Sequence, residues 1–355
     1  MENIKINLTA APKTKPASEG LPFGKFFTDH MFMMEYDKDM GWHNPRIVPY
    51  GPITLDPSAM VFHYAQEIFE GLKAYRSTKG DVLLFRPVEN IRRMNESAKR
   101  LCIPEIPEDV FMDALNSLIT TEKDWVPSEP GTSLYIRPFV IATDPYVGVR
   151  MSNTYIFSII TCPVGSYYAT GLAPTKILVE DTDVRTVRGG TGTAKCGGNY
   201  AASLRAGEKA TNEGYSQVLW LDGVEQKYIE EVGSMNVMFK IGGKIITPRL
   251  NGSVLPGITR KSCIELLKEM GYDVQERSIS VDELASAARD GSLEEAWGTG
   301  TAAVVSPIGE FSYRGNQYIV GGNQIGQVTQ KLYDQLVGIQ WGAIEDTHGW
   351  SVKVC

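Results

Sequence analysis

Two hydrophobic periods alternate along the chain. Apolar and polar residues alternate from Asp81 to Arg86 as in a half-buried strand, and Val88–Leu101 then repeats with helical spacing. Ser133–Ala142 and Thr154–Cys162 read as strands, followed by the turn residues Pro163-Val164-Gly165 and Gly171-Leu172-Ala173-Pro174. Further on, Lys176–Val179 and Gln217–Leu221 read as buried strands. Thr259–Met270 is an amphipathic helix with Cys263, Ile264, Leu267 and Met270 on one face and Gly271 as its stop. The pattern predicts a mixed α and β chain (α/β, mixed α+β) in two domains: a small N-terminal α/β domain over 1–164, a linker over 165–175, and a large C-terminal domain over 176–355. Residues 1 to about 20 read as a flexible arm, and no repeat or low-complexity segment stands out.

Composition narrows what such a chain can do. With 355 residues, 43% of them hydrophobic and 22% charged, it is a globular protein too long for one ordinary core. The formal net charge of −7 opposes a nucleic-acid partner, which needs a basic face, but leaves room for a local basic pocket that binds a small anion. The N-terminal MENIKINLTAAPKTKPASEG lacks the apolar core of a signal peptide, and Thr154–Val164 is far short of the ~20 residues of a membrane helix, so a cytoplasmic protein with no membrane association is expected. Cys102, Cys162, Cys196, Cys263 and Cys355 are scattered, and there are only four histidines. Neither a disulfide framework nor a metal site is predicted.

The candidate chemistry centres on Gly189-Gly190-Thr191-Gly192-Thr193-Ala194-Lys195-Cys196-Gly197-Gly198-Asn199-Tyr200. A lysine aimed and desolvated by such a loop loses part of its preference for the charged form and becomes a nucleophile near neutral pH, as Schiff-base chemistry requires. Taken alone, the same segment describes a solvated loop lysine, the ordinary state of that residue, and the rest of the chain must overturn that reading. It is not a Walker loop, because Ala194 and Cys196 flank the lysine where Gly and Ser or Thr are needed. Gly298-Thr299-Gly300-Thr301-Ala302-Ala303 fits a dinucleotide fingerprint formally, but Pro307 and Gly309 leave no room for the helix that must follow.

Other segments carry the pattern of an anionic, ring-bearing cofactor. In Glu231-Val232-Gly233-Ser234-Met235-Asn236 a carboxylate could hydrogen-bond a protonated pyridine nitrogen, although Glu230, and Glu231 by itself, also fit surface acids. Leu255-Pro256-Gly257-Ile258-Thr259-Arg260 opens a helix, whose first amides suit a phosphate, Ile258 and Thr259 being the donors; an ordinary turn capped by Thr259 has the same pattern. The small residues from Gly298 to Thr301 could add amides and a hydroxyl. Arg93 is a candidate for the charge facing the phosphate, but no spacing rule selects it over Arg92.

The motifs FEGLKAYR (69–76), SLYIRP (133–138), AKCGGNYAASL (194–204), EVGSMN (231–236), LPGITR (255–260) and GTGTAAVVSP (298–307) together resemble the branched-chain-amino-acid aminotransferases, class-IV aminotransferases of the pyridoxal-phosphate fold type IV. Their order and spacing match over nearly the whole chain. DHM (29–31), KDWVP (123–127) and QVLWLDG (217–223) resemble the longer subgroup of that family. The resemblance implies a two-domain enzyme with pyridoxal 5′-phosphate at the domain interface, the C-terminal domain being the cofactor-binding one. Lys195 is implied as the Schiff-base lysine, Tyr200 as partner of the phenolic oxygen, and Glu231 as partner of the ring nitrogen. Arg93, Ile258, Thr259 and Thr301 are implied to hold the phosphate. Arg185 is implied close to it, with Arg188 a competitor. Ser234 stands where mammalian relatives have threonine and keeps one hydroxyl contact.

For substrate, the resemblance implies an apolar wall of Phe23, Tyr64, Phe69, Tyr135 and Tyr167, with Gly71 in the same motif. Tyr64, Val147 and Val149 would reach in from the partner subunit of a homodimer. Such a wall rewards Leu, Ile and Val at about 0.8 kcal/mol per buried methylene. Arg137 and the Tyr135 phenol would take the second carboxylate of glutamate or 2-oxoglutarate, and the Thr301 and Ala302 amides the α-carboxylate. Where mammalian relatives carry CxxC, this chain has Ala303 and Ser306, so a thiol switch is not expected there. The implied reaction is reversible transamination of branched-chain L-amino acids with 2-oxoglutarate in a ping-pong cycle. A D-amino acid aminotransferase or an aminodeoxychorismate lyase would be shorter and lack DHM and KDWVP. A non-catalytic carrier would not need Lys195, Glu231 and Tyr200 together.

Overall fold

A computed structural model describes residues 3–165 and 172–355 and divides the chain into two compact units. The first unit contains residues 1–167, 194–197 and 338–355; the second contains 168–193 and 198–337.

In the first unit the strands are β1 (Lys5–Ile6), β2 (His30–Asp37), β3 (Gly41–Pro49), β4 (Glu67–Phe69), β5 (Leu72–Arg76), β6 (Val82–Phe85), β7 (Ser133–Ala142) and β8 (Thr154–Val164). They join a nine-stranded sheet in the order β1-β3-β2-β8-β7-β5-β6, with β4 also paired to β7, and the chain end at Ser351–Lys353 adds an antiparallel strand beside β6. The helices are α1 (Met60–Tyr64), α2 (Pro87–Leu101) and α3 (Glu108–Thr121). Proline at the first position of α2 loses no hydrogen bond, since that N–H has no intrahelical partner. Alternation along β7 sends Leu134, Ile136, Val140 and Ala142 into a core with Ile91, Met94, Phe111 and Leu115 from α2 and α3. Tyr135 and Arg137 consequently project from the opposite face. Lys73 on β5 is the direct cross-strand partner of Tyr135 and shares that face.

The second unit holds β9 (Thr175–Glu180), α4 (Gly197–Ala201, its first residue grouped with the first unit), α5 (Leu204–Asn212), β10 (Gln217–Leu221), β11 (Ile229–Val232), β12 (Asn236–Ile241) and β13 (Lys244–Thr247). There follow α6 (Ile258–Glu269), β14 (Val274–Glu276), α7 (Val281–Asp290), β15 (Leu293–Gly300), β16 (Val304–Tyr313), β17 (Asn316–Ile319) and α8 (Gln327–Gln340), whose last turn is grouped with the first unit. The sheet order is β11-β10-β9-β16-β15-β12-β13-β14, with β17 on β16. Val179, Leu219, Val237, Phe239, Leu284 and Phe311 lie in its core. Gly271 ends the turn after α6 at φ +87°, a conformation that disfavours residues with a Cβ, as expected of the stop signal.

Three expectations change. The domain assignment over 176–355 fails for Lys195 and the chain end, because packing contacts, not sequence order, group 194–197 and 338–355 with the first unit. Pro163 and Val164 belong to β8, and residues 166–171 of the expected linker lie outside the described residues. The arm, flexible by composition, is tied down between residues 3 and 20: β1 pairs with β3, and the Thr9 N–H donates to His30 Nε2 at 2.8 Å.

Candidate active site

In the first unit, packing fixes the backbone around Lys195. Its neighbours Ala194 and Cys196 are buried in the core. The Lys195 N–H donates to Ser97 Oγ on α2 at 2.9 Å, its carbonyl accepts from the Phe69 N–H at 2.9 Å, and the Gly197 N–H donates to Glu67. Three anchors within three residues hold the main chain, so the freedom of this lysine resides in its side chain. Its Nζ stands 4.8 Å from the centre of the Phe69 ring. Burial pushes the amine pKa down to about 8, the Arg93 guanidinium acts in the same direction, and Glu70 opposes them.

Arg93 is buried on α2 and engaged by a residue that motif reading passed over. Its Nε donates to Glu70 Oε1 at 2.7 Å and its Nη2 to Oε2 at 2.9 Å. Asn90 Nδ2 and the Gly71 N–H, at 2.7 and 3.0 Å, complete the cage around this carboxylate. Burial would raise the Glu70 pKa, but Arg93, with Lys195 and Asn90, outweighs it and holds the carboxyl below its ordinary value. The signal was present in FEGLKAYR, since an acid in a short apolar link between two strands, once buried, needs a cation. Arg92 is exposed and bonded to Glu108, so burial separates the two arginines that spacing left equivalent.

Tyr135 and Arg137 are brought together, Arg137 Nη2 donating to Tyr135 Oη at 2.7 Å. The Arg137 guanidinium lies 4.5 Å from the Phe69 ring centre, and Phe23 meets the Tyr135 ring edge-on at 4.8 Å. Gly71 is required by this approach: a Cβ there would fall 2.2 Å from Tyr135 Oη. Tyr64 ends α1, half-buried against the core, while Val147 and Val149 are 67% and 88% exposed. Tyr167 lies outside the described residues.

In the second unit, Glu231 sits on β11, a strand the pattern did not reveal, and is buried. Its Oε2 is 2.5 Å from Arg185 Nε, and its Oε1 accepts from Asn236 Nδ2 at 3.1 Å. Arg185, implied near the phosphate, also donates from Nη2 to the carbonyls of Ser253 and Gly192, at 2.7 and 3.2 Å. Its contacts are therefore with the acid of the site and the loop before α6. Glu230, which fits a surface acid by sequence, is buried beside Ser253 and Asn251. A cleft runs over Glu231, lined by Arg185, Asn199, Tyr200, Ser234 and Leu255.

Asn236 links this acid to the helix opening, its Nδ2 also donating to the Leu255 carbonyl at 2.9 Å. Ile258 and Thr259 are the first two residues of α6, where amides have no intrahelical partner and the dipole favours an anion. Thr301 and Ala302 form the tight turn between β15 and β16. That hairpin excludes the dinucleotide reading of the glycine-threonine run. Among the described residues no cluster of three potential metal ligands occurs, and no helix is long and apolar enough to cross a membrane.

A half-buried lysine of lowered pKa, a buried acid gripped by arginine and a helix opening fit one protein class. The chain belongs to the class IV aminotransferase family, whose model matches residues 67–311. It is 55% identical to branched-chain-amino-acid aminotransferase 2 of Bacillus subtilis (strain 168), over 99% of this chain and 97% of that protein. Among solved structures, the branched-chain aminotransferase of Escherichia coli superposes with a TM-score of 0.77 at 28% identity, covering 92% of this chain and 99% of that one. A T.th. branched-chain amino acid aminotransferase, solved with pyridoxamine 5′-phosphate, gives 0.77 at 26% identity over 92% and 98%. The fold is therefore fold type IV.

Proposed function

We infer that this protein is a branched-chain-amino-acid transaminase dependent on pyridoxal 5′-phosphate, exchanging the amino group of Leu, Ile or Val with 2-oxoglutarate. The observation that carries this reading is the Lys195 amine, its pKa lowered to about 8, beside an aromatic ring and an arginine that can receive a second carboxylate. The residues suit the cofactor. Glu231, ion-paired with Arg185 and accepting from Asn236, is an acceptor that calls for a protonated nitrogen opposite it. The amides of Ile258 and Thr259 suit a phosphate.

Pyridoxal 5′-phosphate, when bound, supplies an aldehyde carbon and a ring that accepts electrons. Lys195 is the residue that would hold that aldehyde carbon, and its near-neutral amine suits it to take and return a proton at the substrate Cα. By the family resemblance, Glu231 would keep the ring nitrogen protonated, Tyr200 would donate to the phenolic oxygen, and Arg93, Thr301 and the α6 amides would hold the phosphate. Ser234 adds a hydroxyl. By the same resemblance, Phe23, Tyr64, Phe69, Tyr135 and Tyr167 would wall the apolar side chain, Arg137 with Tyr135 would bind the distal carboxylate of glutamate, and the Thr301 and Ala302 amides would hold the α-carboxylate. The exposed apolar run Tyr146, Val147, Val149 and Met151, with Phe62, supports a homodimer in which Tyr64, Val147 and Val149 serve the partner's site.

The test is incubation of the purified protein with L-leucine, 2-oxoglutarate and cofactor, measuring glutamate. Turnover by the parent and none by Lys195→Ala is expected. Equal activity in the variant would overturn the assignment, and cofactor binding without any turnover would favour a carrier.

A further inference from the structure

The motifs DHM and KDWVP take no part in the chemistry above, yet they meet in the first unit. His30 opens β2 and Glu122 closes α3, and His30 Nδ1 bonds Glu122 Oε1, both side chains being buried. His30 Nε2 accepts from the Thr9 N–H at 2.8 Å, so the ring proton lies on Nδ1 and points to Glu122. The next residue extends the knot. The Asp29 N–H donates to Glu122 Oε2 at 3.2 Å, Asp29 Oδ2 accepts from Trp125 Nε1 at 2.9 Å, and Asp29 Oδ1 accepts from the Lys13 N–H at 2.7 Å. The Lys13 amine completes the attachment, donating to the Thr28 carbonyl at 2.8 Å over the Tyr50 ring.

Two of these bonds end on backbone N–H groups of the arm, whose residues are mostly exposed. A segment that buries so little apolar surface owes its order to such bonds. Past the attachment the chain turns at Gly20, φ +70°, inserts Leu21 beneath the surface with its carbonyl accepting from the Gly165 N–H at 3.2 Å, and turns again at Gly24, φ +69°. Phe23 lies between the two turns, half exposed, its ring edge-on to Tyr135.

We propose that His30 and Glu122, with Asp29 and Trp125, form a latch that fixes the N-terminal arm and so holds Phe23 against Tyr135, making them positioning residues for the apolar wall of the substrate site. The inference rests on the proposed function. The latch acts on affinity for the apolar side chain and leaves the proton transfer at Lys195 alone. A buried His–Glu pair adds little stability over apolar packing, which fits a directional role.

Thr9→Pro tests the latch, because it removes the N–H aimed at His30 and leaves the buried knot intact; Thr9→Ala keeps that N–H and serves as the control. For the holoenzyme, Thr9→Pro is expected to speed hydrogen exchange across residues 3–21 and raise KM for L-leucine about three- to tenfold, with kcat within about twofold, while Thr9→Ala matches the parent. In a Phe23→Ala background the proline should add nothing, since its effect runs through that ring. Unchanged exchange, unchanged KM despite faster exchange, or effects that multiply independently of Phe23 would each overturn the latch. A parent that does not transaminate leucine refutes the proposed function instead, a separate outcome from an active parent indifferent to Thr9→Pro.

Discussion

The Glu70 carboxylate and the Arg93 guanidinium form a two-pronged pair with the acid wholly shielded from water, although Glu70 lies in the link between β4 and β5 and Arg93 on α2, 23 positions apart. Removing either partner leaves a buried charge without its counter-charge, a loss of roughly 3–5 kcal/mol. Glu70→Ala should lower the melting temperature by on the order of 10 °C. The folded carboxyl lies below its ordinary value of 4.5, so the stabilisation is complete above pH 4.5 and fades as pH falls through the folded value. Thermal melts of parent and variant should converge in acid; a gap that stays constant down to pH 2 would refute the pair's role.

The lowered pKa of Lys195 predicts its reactivity in cofactor-free protein. Labelling by an amine-selective reagent, mapped to the Lys195 peptide by mass spectrometry, should rise with pH around a midpoint near 8. Glu70→Gln removes the negative charge that favours the ammonium, so the midpoint should move down. A midpoint near 10.5, that of a solvated lysine, would contradict the burial argument.

The Arg185–Glu231 pair predicts a shared phenotype. Glu231→Gln cannot keep a ring nitrogen protonated, and turnover should drop by on the order of 10²-fold. Arg185→Gln should weaken cofactor binding in the same assay by a smaller factor, because Asn236 still orients the acid. Fluorescence titration of the cofactor-free variants, together with single-turnover rates, separates the two effects. Full activity in Glu231→Gln would exclude Glu231 as the ring partner.

Gly71→Ala puts a methyl where the Tyr135 phenol lies, and the flexible end of a side chain must give way. The fold should survive, at a cost of about 1–3 kcal/mol for overpacking. Because Tyr135 Oη accepts from Arg137, KM should rise more for 2-oxoglutarate than for the branched-chain 2-oxo acids. Equal rises for both would detach the Tyr135–Arg137 pair from the distal carboxylate.

Ser280 offers a control far from this chemistry in role. Its Oγ caps α7 by accepting from the Glu283 N–H at 3.0 Å, and Gly291 closes the helix at φ +80°. Ser280→Ala should cost about 1 kcal/mol of stability, read by denaturant titration, and leave KM and kcat at parental values.

Local elements and motif chemistry were legible where period and chemistry are short-range. The alternation of β7, the helical spacing of α2 and the glycine stop after α6 follow from which face of each element must be apolar. Lys195, Glu231 and the opening of α6 each fit an ordinary reading alone and stood out only through the resemblance of their motifs, in order and spacing, to one family. Glu70 did not, since its role depends on Arg93, and a pairing across 23 residues leaves no periodic trace. The order of the arm was hidden for the same reason: its composition is that of a loop, and its attachments come from residues 28, 29 and 30 and from β3.

The sequence by itself determined the secondary-structure periods, which are written in residues adjacent along the chain, and the family, which is written in the order and spacing of its motifs. Tertiary structure alone decided that Lys195 packs with the first unit, that Arg93 is held by Glu70 while Arg92 faces solvent, and that Arg185 grips Glu231. The physical reason is that burial and charge pairing are properties of neighbours in space. A guanidinium or carboxylate acquires its role only when folding removes water from it and sets a specific counter-charge beside it.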